Sequence, residues 1–450
     1  MMTRRGASGM HDHPTEATAG RRAPRLLRPF RRRGYRRLAL AMALTTFTAG
    51  VWVVAMVWEV IRIGGGPTQL SLVMTAMSVG VLVPALLAGA VADRVPQKRI
   101  LQGVSGVELL TIAVVALLSL SDATRLWHLA LASLALGVAM AFYFPAYSAW
   151  LPALVEADEL QAVNGFEGMV RPVLQQAAGP AAAGVVVGAV SSGAAVAVAA
   201  VVSLAGLLAV SLVPLTAVRR DLSAEPPGHV VVAALRDIGQ GFGYMVRTPW
   251  LLATLLFASL MVLVFIGPLE VLVPFLVKDQ LGGGPGDHAT VLAMFGVGGA
   301  VGSLAMGALP LPRRYLTWMN LLWGVGCLPM VAIGLATALW QVYVAAFVLG
   351  LGFSAPMVIW GTLLQRRVPP ELLGRVSSLD FFVSLAFMPV SMALAGPVSE
   401  LLGLVETFVV AGVAPVVFAV VAVLWARMPA DELAHPLDGP AERPQEVTAP

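Results

Sequence analysis

Twelve apolar runs, each long enough to cross about 30 Å of hydrocarbon, divide the chain between Leu38 and Ala426. Broken at Gly, Pro and charged residues, they fall near 38–61, 70–92, 100–120, 126–149, 163–189 and 194–216, and then near 250–276, 288–309, 315–337, 340–364, 376–399 and 404–426. With 58% hydrophobic and 12% charged residues and a mean hydropathy of +0.83, the chain departs far from the roughly one-quarter charged residues of a soluble domain. So much apolar surface needs lipid around it. The expectation is an all-α polytopic membrane protein of twelve transmembrane helices.

The charges set its orientation. Of the 29 basic residues, 25 lie in segments that alternate counting places on one side, three (Arg62, Arg125 and Lys278) lie on the other, and Arg171 lies inside a run. Basic loops favour the cytoplasm, so both termini are expected there. The high isoelectric point comes mainly from loops and the N-terminal tail, and this argues against nucleic-acid binding. Residues 1–37 carry eleven Arg directly before the first run. That run is about twice the length of a signal-peptide core and no clear small-residue cleavage site follows it, so it reads as a helix that stays in the membrane. Cys327 is the single cysteine, which rules out an internal disulfide or a multi-cysteine metal site.

The widest polar gap, from Val218 to Thr248, divides the runs six and six. It holds the break Glu225-Pro226-Pro227-Gly228, then Val231, Leu235, Ile238, Phe242 and Met245 at helical spacing, the pattern of an amphipathic surface helix. The expected organisation is a disordered basic tail (1–37), a six-helix bundle (38–217), a cytoplasmic linker (218–248), a second bundle (249–427) and a disordered tail (428–450). The halves echo one another: Leu-Ala-Gly-Ala-Val-Ala-Asp-Arg ending at Arg94 returns loosely as Leu-Ala-Met-Gly-Ala-Leu-Pro-Leu-Pro-Arg-Arg ending at Arg314. A repeated six-helix unit would produce such an echo.

Between the second and third runs stands Gly89-Ala90-Val91-Ala92-Asp93-Arg94-Val95-Pro96-Gln97-Lys98-Arg99. It is similar to the signature loop of the major facilitator superfamily, roughly Gly-x-x-x-Asp-Arg-x-Gly-Arg-Arg/Lys. Gly89, Asp93, Arg94, Lys98 and Arg99 match, and Pro96 replaces the second Gly. In the fifth run, Gly179-Pro180-Ala181-Ala182-Ala183-Gly184 resembles the Gly-Pro-x-x-Gly-Gly element of that family's drug:proton exchangers, with Gly179, Pro180 and Gly184 in place. Asp237 to Leu251, Val273-Pro274-Phe275 and Val368 to Val376 resemble the drug:proton antiporter-3 group of macrolide, tetracycline and siderophore exporters. The resemblance implies two pseudo-symmetric six-helix bundles and alternating access. It also implies that Asp93 and Arg94 lock onto the start of helix 11, near Gly374-Arg375-Val376, to close the inner gate. A carboxylate at a helix N-terminus is physically apt for this. A simple topology-setting charge is the other reading of Asp93.

No Walker loop and no His-Glu-x-x-His motif is present, and the six His fall in tails, loops or helix ends, so an ATP-driven pump and an intramembrane metalloenzyme are set aside. No cofactor or metal is expected. Charges inside the membrane are functional candidates by default: Glu270 first, unpaired between Pro268 and Pro274, then Glu167, Arg171, Asp380 and Glu108. Glu270 is equally readable as a hydrated residue near the outer mouth, and Glu167 with Arg171 as an i,i+4 pair. Tyr143 and Tyr147, with Trp150, share one face of helix 4, and Trp52, Phe265 and Trp360 would complete an aromatic cavity for flat or cationic molecules; interfacial or lipid-facing packing is the bland alternative. The function expected is proton-coupled export of hydrophobic or amphipathic drugs by a monomer in the bacterial inner membrane. Its partners are a small-molecule substrate, protons and the bilayer. A dedicated exporter of a native metabolite, such as a siderophore or lysolipid, is the alternative, and a non-transporting sensor is a more distant one.

Overall fold

A computed structural model describes residues 28–92, 95–156, 159–216, 239 and 241–437. Asp93, Arg94, most of the linker and the chain ends expected to be disordered lie outside the described residues, apart from 28–37 and 428–437.

The described helices are α1 (Arg33–Arg62), α2 (Pro67–Ala92), α3 (Gln97–Leu120), α4 (Leu126–Leu154), α5 (160–189) and α6 (Ser192–Ser211). After the linker come α7 (Pro249–Gln280), α8 (Pro285–Ala308), α9 (Tyr315–Gly334), α10 (Leu339–Arg367), α11 (370–402) and α12 (Leu404–Trp425). Eleven helices are singly long and apolar enough to cross a membrane among the described residues. The twelfth, α5, is divided into Leu160–Pro172, a wide turn over Val173–Ala178, and Gly179–Ala189. Proline explains the divisions. Pro172 and Pro180 flank the widened stretch of α5, Pro268 and Pro274 open two such stretches in α7, and Pro329 and Pro389 follow the breaks in α9 and α11. Each proline lacks the N–H that would bond four residues back, so the helix rearranges there.

Each half closes on itself: α1 packs on α6, α3 on α6 and α2 on α4, while α8 packs on α10 and α9 on α12. Small residues make this possible. A side chain on Gly298 would strike the Phe347 carbonyl of α10, and one on Gly80 the Leu134 carbonyl of α4. Twelve crossings put both termini on one side of the bundle. The tight contacts between halves, among the described residues, run from the opposite, far side to the middle of the bundle, where a side chain on Gly296 of α8 would come within 2.9 Å of Gln176 of α5; on the far side they are closest. There the Gly396 N–H of α11 donates to Ser71 Oγ of α2 (2.8 Å), and Thr68 donates to Glu400. Nearby, Gly184 of α5 faces Gly286 and Ala289 of α8.

Beyond α12 the described residues continue to 437, within the stretch read from the sequence as a tail. A short helix, α13 (Met428–Ala434), docks on the terminus side. Met428 is fully buried, the Tyr315 hydroxyl donates to the His435 carbonyl (2.8 Å), and Arg367, whose guanidinium lies 4.9 Å from the Trp250 ring centre, pairs with Asp431. The N-terminus of α9 has no cap of its own. Glu432 supplies one from a distance, accepting hydrogen bonds from the Thr317 N–H and hydroxyl. Burial pushes the Glu432 carboxyl above the usual carboxylate range, and the Thr317 hydrogen bonds offset only part of that. The protonated form therefore favours docking. That stabilisation is complete below the ordinary carboxylate value and is lost as pH rises through the elevated one. Relative to Glu432→Gln, the wild-type melting temperature should fall as pH rises from the ordinary carboxylate range upward; a difference flat with pH would refute the desolvation.

Candidate functional site

The signature loop is only partly visible. Lys98 at the start of α3 donates to the Ser211 carbonyl (2.8 Å), placing a cation at the C-terminal end of α6, where the helix dipole is negative. Arg99 beside it is exposed, and Gly89 lies in the last turn of α2.

The candidates in the first half converge on one buried cluster. Glu167, on the terminus-side segment of α5, is paired with Arg171 one turn on (3.1 Å) and also accepts from the Tyr147 hydroxyl of α4. The Arg171 guanidinium lies 4.7 Å from the Tyr147 ring centre and 5.2 Å from that of Phe144. Tyr143 stacks on Tyr147 with ring centres 5.7 Å apart, and Glu108 of α3 is buried within electrostatic reach of Tyr143. Among the described residues no hydrogen-bond donor reaches Glu108. The i,i+4 spacing that suggested a pair did not disclose its third member, Tyr147, which only the α4–α5 contact brings in.

A second cluster belongs to the other half. Asp380 of α11 accepts from Trp360 Nε1 (2.9 Å) and from Ser384 Oγ (3.1 Å), uniting a coupling candidate with a cavity candidate. Trp360 lies 6.3 Å from Trp250 and 6.5 Å from Trp323 between ring centres, and Phe265 stacks on Phe353 at 6.0 Å. Phe265 is fully buried, as is Trp52 of α1, whose Nε1 has no hydrogen-bond partner among the described residues. Among the five aromatic candidates, Tyr143 and Tyr147 belong to one buried cluster, beside Glu167, and Trp52, Phe265 and Trp360 to a second, larger one.

Glu270 occupies the widened turn that Pro268 opens in α7. It lines a cavity of about 40 Å³ between the halves, with Val53 and Val57 of α1, His288 and Phe295 of α8, and Ala346 of α10. His288, set aside at the sequence level as a helix-end residue, is 3% exposed, and its Nδ1 has no partner among the described residues. Nothing in the local pattern around Asp287-His288 marks it; burial arises from α1 and α10 folding over the first turn of α8. Glu59 was also missed, an acid in the first apolar run that is fully buried between Arg62 (2.8 Å) and Ser192 (2.6 Å).

The helix-5 motif faces two ways. A side chain on Gly179 would come within 2.7 Å of the Phe47 carbonyl and 2.8 Å of Gly50 Cα, both on α1 in the same half. One on Gly184 would come within 3.0 to 3.1 Å of Ala289 and Gly286 on α8, in the other half.

The chain is similar over most of its length to proteins of known kind. Multidrug efflux pump Tap of Mycolicibacterium fortuitum is 26% identical, covering 88% of this chain and 97% of its own. Macrolide efflux protein A of Streptococcus pyogenes is 21% identical over 84% and 92%. Among solved structures, a variant of the peptide transporter POT superposes with a TM-score of 0.69 at 14% identity over 88% of this chain and 95% of its own. A variant of the nucleoside transporter NupG superposes with 0.67 at 12% over 86% and 98%. At such identities these two establish the fold alone. The profile of the Major Facilitator Superfamily matches residues 38–379 and again 269–449; with twelve helices in two six-helix bundles packed across a shared interface, this chain belongs to that superfamily.

Proposed function

We propose that the protein is a secondary active exporter of hydrophobic or amphipathic drugs, driven by proton entry through alternating access. The observation that carries this reading is the end-to-end likeness to two efflux proteins, Tap and macrolide efflux protein A. The helix-5 motif supports it, since Gly184 puts small-residue packing at the contact between the halves, where one bundle must rock against the other. Basic residues crowd the terminus side, which is assigned to the cytoplasm of the bacterial inner membrane. The tight far-side contacts then describe a transporter closed to the outside. The two bundles are taken as 38–217 and 249–427 around the linker, acting as a monomer. Glu270, Glu167 with Arg171, Asp380 and Glu108 are the acidic and basic groups available for coupling, and Tyr143, Tyr147, Trp52, Phe265 and Trp360 the aromatic ones for substrate.

Ethidium and macrolide accumulation in an efflux-deficient host is the direct test. Expression should lower accumulation, and a protonophore should abolish the effect. Asp93→Asn should slow turnover by about tenfold while leaving substrate binding within about twofold, because the gate contact is absent from the binding step. Unchanged accumulation with the protein present in the membrane would refute drug export. Normal turnover in Asp93→Asn would refute the gate alone.

A further inference from the structure

We propose that Glu270 and His288 act together as one proton-binding site, joined by water in the cavity between the two halves. This rests on the proton-coupled reading above and adds to it a residue, His288, and a place.

The geometry is specific. The two side chains come from consecutive helices, α7 and α8, and line the same cavity; its walls are otherwise apolar, formed by residues such as Val53, Val57, Leu269 and Phe295. A cavity of about 40 Å³ has room for about three waters, each needing about 10–15 Å³. Among the described residues, no protein group bonds Glu270 or the buried His288 Nδ1. A carboxyl and an imidazole left without protein partners in such a wall are costly, and shared water and a shared proton relieve that cost. The other charged or titratable groups on the surrounding helices are engaged or outside. Glu59 of α1 is held by Arg62 and Ser192, Asp287 accepts from the Gly284 N–H and the Tyr343 hydroxyl of α10, and Lys278 pairs with Asp279. On the elements against the widened turn of α7, Glu400 of α11 accepts from Thr68 and Glu406 of α12 is exposed.

Position makes the pair able to couple. Its cavity has α1 of one half as one wall and α7, α8 and α10 of the other half as the rest, so rocking the halves apart must change its access to water. One proton enters from far-side water, rests on the carboxyl or on an imidazole nitrogen with the cavity water between them, and leaves to water on the terminus side. No bond other than O–H and N–H is made or broken.

The test uses the full-length protein in proteoliposomes, with ethidium as the probe. Glu270→Gln and His288→Gln should each lower pH-gradient-driven ethidium transport by about tenfold or more, and the double variant should be no worse than either, since residues acting as a unit are not additive. Ethidium affinity should change by less than about threefold. Multiplying losses in the double variant, or a wild-type pH profile in His288→Gln, would overturn the proposal. Should either variant fail to fold, pH-difference infrared spectra of the wild-type protein decide. A carboxyl band and an imidazole band titrating together support the pair, and a histidine band that titrates independently of every carboxyl overturns it. If the wild type moves ethidium with no proton movement, the proton-coupled reading itself fails; if only the His288 result is negative, that reading stands and this inference does not.

Discussion

Gly179→Val should leave almost no folded protein. The added side chain would begin 2.7 Å from the Phe47 carbonyl and 2.8 Å from Gly50 Cα, and both are helix backbone with no rotamer to turn away. Overpacking a core costs about 1–3 kcal/mol when side chains can shift and more when they cannot, so this cost takes up much of a typical folding stability of about 5–15 kcal/mol. Gly50, whose own added side chain would lie 2.7 Å from the Gln175 carbonyl, should behave in the same way. Gly184→Ala is the contrasting case within the same motif. Its nearest contacts, at 3.0 and 3.1 Å, are with the other half, which can yield by a few tenths of an ångström. That variant should fold, with a melting temperature close to wild type, and export more slowly because the contact between moving parts has changed. Monodispersity on size exclusion and thermal melting separate the two cases. A well-folded Gly179→Val would refute the close approach of α1 and α5.

Removing Arg171 is the second large effect. Its guanidinium neutralises Glu167, whose side chain is only 8% exposed, and covers the Tyr147 and Phe144 rings. Arg171→Leu leaves the carboxylate with Tyr147 as its remaining partner, and breaking a buried pair from one side costs about 3–5 kcal/mol. Arg171 is one-fifth exposed, so water softens this and about 3 kcal/mol is the figure expected. Glu167→Gln with Arg171→Leu should recover much of it, because the uncompensated charge is gone. Thermal or denaturant melts of the two single variants and the double variant measure the coupling directly. Additive losses would show that the groups do not act as a pair, and transport in the double variant then reports whether the charge pair does more than hold α4 to α5.

The helix limits show how much of this molecule is local. Runs expected near 100–120, 126–149 and 404–426 form helices over Gln97–Leu120, Leu126–Leu154 and Leu404–Trp425, because a segment that crosses hydrocarbon must satisfy its own backbone and the length of lipid sets its length. The prolines that divide α5, α7, α9 and α11 are equally legible, since a missing N–H is a property of the residue itself. The pairing of Glu167 with Arg171 was readable for the same reason, being one helical turn apart on one helix.

The rest is not local. His288 and Glu270 are 18 residues apart along the chain, and nothing in either apolar run says that they share a cavity; that depends on how α1 and α10 close over the ends of α7 and α8. Trp360 reaches Asp380, Glu432 caps α9, and Gly179 and Gly184 face different partners only because of the angles at which the helices cross. The sequence by itself determined the twelve spans and their breaks, because lipid thickness and backbone hydrogen bonding act on each segment alone. Only the tertiary structure decided which buried charges have partners, because in a bilayer those partners come from neighbouring helices packed through small residues, and that packing is a property of the whole chain.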